Sequence, residues 1–199
     1  MRRLREPENA KQRDDPLLHA LRACVALAIV ATNAACNPTF NWREFRSADG
    51  YAVMLPGRPQ TVSREVKLPD ATVQMSMTST GVGATLFAVG MAQLPAGLSG
   101  EPTARRRTIA HVRDALVRNV NVSQVAPSAA VSPILSGARV WESEAIDATG
   151  RDSSGRTVLL AARLFVVDDR LFQLIAIGTK DAIPAEALDT FFTSFRLIQ

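Results

Sequence analysis

The stretch ARLFVVDDRLFQLIAIG, Ala162–Gly178, consists of two apolar runs separated by a pair of aspartates. Both runs are short and rich in the β-branched and aromatic residues that suit a pleated surface. Asp168-Asp169 reads as a tight turn, so the runs fold back on one another as a hairpin. Short connections of this kind make antiparallel neighbours, because parallel strands need a crossover of about a dozen residues or more.

The same grammar repeats on the N-terminal side. Ala138–Ala148 and Arg156–Val167 flank TGRDSSG, where Gly150 and Gly155 signal a hairpin loop. With Leu171–Ile177 they make a three-strand meander. Earlier, TVQMSMTST (Thr72–Thr80) sets Val73, Met75 and Met77 on one face and Thr72, Gln74, Ser76 and Thr78 on the other. That is the period of a half-buried antiparallel strand. Gly81–Gly83 supplies a turn into Ala84–Leu94. Tyr51–Leu55 is a strand stopped by Pro56, Gly57 and Pro59, and Thr61–Lys67 is a weaker one.

Between these groups the period changes. Ile109, Val112, Leu116 and Val120 recur every three or four residues, predicting a helix from about Thr103 to Val120 with Pro102 in its first turn. Residues 121–137, rich in Ser, Ala and Pro, read as a connector. Pro184 opens a closing helix that carries Leu188, Phe191, Phe192 and Phe195 on one broad face. The order is strands, helix, three-strand meander, helix. The predicted class is α+β, a largely antiparallel sheet of about six or seven strands flanked by two helices. Residues 51–199 form its single domain, and 36–50 a short tether followed by a packed entry segment.

The first 35 residues have a different character. Ala23–Ala31 is uninterruptedly apolar but about half the roughly 20 residues that a membrane-crossing helix needs. Arg2, Arg3, Arg5, Lys11, Arg13 and Arg22 precede it, and the small residues Ala34 and Ala35 lead to Cys36. A short apolar run behind positive charge, followed by small residues, is an export signal. It resembles a bacterial lipoprotein signal, with the Cys36 thiol accepting a diacylglyceryl group and Asn33 standing where such signals usually carry Leu. The expected location is the periplasmic side of the bacterial envelope, membrane-anchored, or else soluble in the periplasm or secreted.

Cleavage before Cys36 leaves 164 of the 199 residues, enough for one ordinary core. Cys36 is then the lone cysteine, so no internal disulfide forms. The leader holds 6 of the 23 basic and 4 of the 19 acidic residues, leaving seventeen against fifteen. A surplus of two gives no case for nucleic acid as a partner.

The opener DGYAVMLPGRP (Asp49–Pro59) and the closer ARLFVVDDRLFQLIAIG with FFTSFRL (Phe191–Leu197) resemble small exported bacterial proteins with a PsbP-like fold. The resemblance spans about residues 43–198. It implies an antiparallel sheet between helices, and a protein-binding or assembly role more readily than catalysis.

The residues themselves offer little chemistry. His111 could act as a general base oriented by Asp114, one turn away, or be a surface histidine with a helical neighbour. One histidine and one cysteine outside the leader cannot build the usual zinc site, and no metal or cofactor is expected. Glu142 and Glu144 share a strand face at about 7 Å, with Asp147 close by. That spacing suits an inverting glycosidase, or equally cross-strand pairs with Arg163 or Arg156. Asp152 to Gly155 lacks the pattern of a calcium loop, and Gly81-Val82-Gly83 is too bare for a phosphate loop. Arg105, Arg106 and Arg107 oppose the helix dipole at the start of their helix. They read either as contacts to anionic headgroups or an acidic partner, or as solvated charges paired with Glu101 or Asp114. The leading expectation is a non-catalytic, lipid-anchored envelope protein that binds or assembles with another component. The alternatives are an envelope hydrolase using carboxylates near 142–147 and a basic module on anionic lipid.

Overall fold

The structure is a computed structural model in which residues 39–119, 122–126, 138–152 and 154–198 are described. They belong to one compact unit, Thr39–Gln199. Cys36 and the expected export signal lie outside the described residues. Among the described residues, no helix is long and apolar enough to cross a membrane.

The fold is α+β and its main sheet is antiparallel throughout. β3 (Gln60–Leu68), β4 (Ala71–Val82) and β5 (Thr85–Gln93) form one meander. β7 (Val140–Arg151), β8 (Thr157–Val167) and β9 (Arg170–Thr179) form a second. The meanders join edge to edge along β5 and β9, and β6 (Val122–Ala126) adds an outer strand beside β7. The predicted hairpin closes at Asp168-Asp169 with Val167 opposite Arg170. Asp168 takes a left-handed φ of 54°, which a short polar side chain tolerates better than a branched one.

A two-sided sheet needs two covers. On one face lie α1 (Ala96–Ser99) and α2 (Pro102–Asn119), which packs chiefly on β7. Ile109 and Val112 seal it over Ile146, Leu160, Ala162 and Leu164. On the other lie α3 (Ala185–Ser194) and a small sheet of β1 (Arg43–Ser47), β2 (Tyr51–Leu55) and β10 (Arg196–Leu197), in the order β1-β2-β10. There Phe191 meets Phe87 edge to face, and Phe195 meets Phe165 and Phe172 in the same way. Ser194 clips α3 to β2, accepting from the Met54 amide at 2.9 Å and donating to the Phe191 carbonyl at 2.9 Å. Glu44 of β1 accepts from Arg196 of β10 across β2, and from Arg46 at 2.7 Å. These two guanidiniums, Arg196 first, hold its carboxyl below the usual range.

The entry segment before Tyr51 packs as expected, with Phe40, Trp42 and Phe45 on the aromatic layer, and its strand β1 pairs with β2 along its length. Two expectations change. The connector contains β6. Thr78, expected on the polar face, is buried because that face is covered too, and its Oγ1 meets Thr61 Oγ1 at 2.8 Å; Thr80 is buried beside it.

Candidate functional site

α2 does not lie flat on the whole sheet. Between it and strands β3, β4 and β9 is a cavity of about 210 Å³. Val112 and Leu116 roof it, and Val66, Met75, Met77 and Ile175 form its walls. Arg64 and Lys67, exposed on β3, and His111 on α2 also line it.

Its one deeply buried polar residue is Gln173, 5 % exposed. The carboxamide donates from Nε2 to Met75 Sδ at 2.9 Å and to Met77 Sδ at 3.2 Å. Reaching β4 from β9 means crossing β5, and Gly90 leaves the way open. A Cβ at residue 90 would stand 2.5 Å from Gln173 Nε2 and 2.6 Å from Met77 Sδ. Thioethers are weak acceptors, so this buried N–H₂ is held by partners that almost any oxygen would outcompete.

The three consecutive arginines go three ways. Arg105 turns inward and is 5 % exposed, so it offers nothing to a surface. It donates to the Ser99 carbonyl at 2.7 Å and lies 4.7 Å from the centre of the Trp141 ring, which Arg139 also covers at 3.7 Å. Its Nε has no acceptor. Arg107 donates to Asp70 at 2.7 Å, and Arg106 is exposed. A single helix turn spreads these residues too widely in direction to make one patch.

The expected acid–base pairs are likewise taken apart. Asp114 accepts from Arg113 at 2.9 Å, and the same guanidinium reaches Glu144 at 3.1 Å. Both carboxylates hold the Arg113 guanidinium firmly charged. Asp147 accepts from Arg163 at 3.0 Å, the cross-strand pairing anticipated for it. Glu142 is half-buried on β7, opposite Val166 of β8. Asp152 closes its own loop, accepting from the Ser154 hydroxyl at 2.6 Å, the Arg156 amide at 2.9 Å and Arg156 Nε at 2.8 Å. These donors, Ser154 first, hold its carboxyl far below the ordinary range. Gly81 stays within β4, and the turn falls at Gly83-Ala84.

Gln173 and Gly90 carry the cavity, and neither was singled out by motif. The available signal was a lone carboxamide inside an otherwise apolar strand, on the parity of Leu171 and Ile175. No family model matches the chain, and no curated protein matches it. A solved structure of a Pseudomonas aeruginosa protein of unknown function is similar over 74 % of this chain and 90 % of that one, at 12 % identity and a TM-score of 0.38. A likeness that loose carries no argument about function.

Proposed function

We propose that this is an exported protein of the bacterial envelope, lipid-anchored at Cys36, whose domain binds a ligand without transforming it, in the cavity beneath α2. The observation that carries the binding role is Gln173, a buried carboxamide in a cavity of mixed lining, whose N–H donors are spent on the thioethers of Met75 and Met77. Pockets lined by apolar groups with few fixed polar ones are what small ligands use. The hydrolase reading loses support because Glu144 and Asp147 are engaged by Arg113 and Arg163. The anionic-lipid reading loses support because Arg105 is buried and Arg107 is paired with Asp70.

Anchoring rests on the leader and on Cys36, after which only three residues precede Phe40. The PsbP-like resemblance agrees with a binding or assembly role. Intact-mass measurement tests the anchor. The expected polypeptide begins at Cys36 and carries added acyl mass, and Cys36→Ser leaves the membrane fraction. A protein that retains residues 1–35 in the soluble cytoplasmic fraction overturns the reading.

A further inference from the structure

We propose that the cavity selects a single-ring aromatic carboxylate with a hydroxyl on the far side of the ring, the chemistry of a hydroxyphenylacetate. This rests on the binding role proposed above and names the class of ligand. The rim gives the charge. Arg64, Lys67 and His111 line the cavity, and its lining contains no Asp or Glu. A carboxylate gains from such a rim, and a cation is repelled by it. The walls give the ring. Met75 and Met77 turn their sulfurs into the same small space, and thioethers favour the edges of aromatic rings. About 210 Å³ holds one ring with a short arm.

The floor gives the hydroxyl. A carboxamide both donates and accepts, and a phenol does the same. Gln173 exchanges two weak sulfur contacts for a reciprocal pair with oxygen. A site built to hydrogen-bond a hydroxyl discriminates strongly against the analogue that lacks it, since the buried amide is then left poorly matched. Gly90 is part of this arrangement, because a side chain there would push the carboxamide out of line.

The test uses protein purified from cells expressing the full chain, with labelled methionine methyl groups, titrated by nuclear magnetic resonance. The probes are 4-hydroxyphenylacetate, phenylacetate, the neutral alcohol 4-hydroxyphenethanol, and octanoate. The expected result is saturable movement of the Met75 and Met77 methyl signals, with the hydroxy acid bound at least about tenfold more tightly than any of the others. Arg64→Glu with Lys67→Glu should abolish the preference for acid over alcohol. Gln173→Leu should abolish the preference for hydroxy acid over phenylacetate while phenylacetate still binds, which shows that the variant is folded. Equal binding of acid and alcohol, or preference for octanoate, overturns the ligand class and leaves the cavity reading standing. Methyl signals unmoved by all four probes overturn both.

Discussion

Two glycines in neighbouring strands of the main sheet differ in what surrounds them, and the difference is measurable. A Cβ at Gly90 would meet flexible side chains, Gln173 and Met77. A Cβ at Gly178 would meet backbone, the Ala84 carbonyl at 2.7 Å and Thr85 Cα at 3.0 Å. Gly90→Ala is expected to cost roughly 1–2 kcal/mol and Gly178→Ala more, about 2–3 kcal/mol, in urea midpoints at unchanged slope. Truncating Gln173 to Ala in the Gly90→Ala background should recover part of the first loss and none of the second. Tyr51, the sole tyrosine, is fully buried, and its hydroxyl lies near Thr78 and Ser47 without a hydrogen bond to either. Burial pushes the phenol up. The unfolded chain ionises at pH ~10, so the stability contributed by the neutral phenol is present below that and lost as pH climbs toward the raised folded value. Phenolate absorbance should therefore appear only with unfolding, and Tyr51→Phe should flatten the loss above pH ~10 without lowering stability near neutrality. Gln173 shows the limit of reading single residues. Its strand and parity were plain in the sequence, but its meaning depends on Gly90 and two methionines that only the strand register brings alongside it.

At the scale of elements, charge pairing explains most of what motif searching could not resolve. β7 and β8 are tied by Arg163 and Asp147, whose side chains are 13 % and 33 % exposed, and the guanidinium also sits 4.6 Å from the Phe192 ring centre of α3. The two halves of this pair are not equivalent. Removing the aspartate leaves a nearly buried cation with only the Ile146 and Ala162 carbonyls as acceptors, whereas removing the arginine leaves a carboxylate that water can reach. Asp147→Ala is expected to cost about 1–3 kcal/mol and Arg163→Met less, measured by chemical denaturation. Strand and helix positions were legible because apolar periodicity reports burial directly. Tyr51–Leu55 falls where expected, and the long helix begins one residue earlier than expected, at Pro102. β1, β6 and β10 were not legible, because REFRS, VSQVA and a two-residue strand are stabilised by neighbours rather than by a pattern of their own. The fate of Arg105 was equally hidden, since helix numbering gives direction but not depth.

For the whole molecule, the described core draws on residues from Phe40 onward. A chain shortened to begin at Thr39 is therefore expected to unfold at the same urea midpoint as one beginning at Cys36. One beginning at Tyr51 also loses β1, Phe40, Trp42 and Phe45, and should be weaker by roughly 3–5 kcal/mol. The class and order of elements could be read from hairpin signals, but the covering of both sheet faces could not, because threonines on a buried face look like threonines on an open one. The junction of the two meanders has a consequence of its own. β3 and β4 supply one side of the cavity and β9 another, so the cavity is absent from either half alone and comes into being only when distant parts of the chain zip together along β5 and β9. A guest lodged there acts as a rivet across the zip. Saturating ligand should slow amide hydrogen exchange along β5 and β9 more than in the β1–β2 ribbon, and the occupied protein would resist being pulled open where the empty one gives way first.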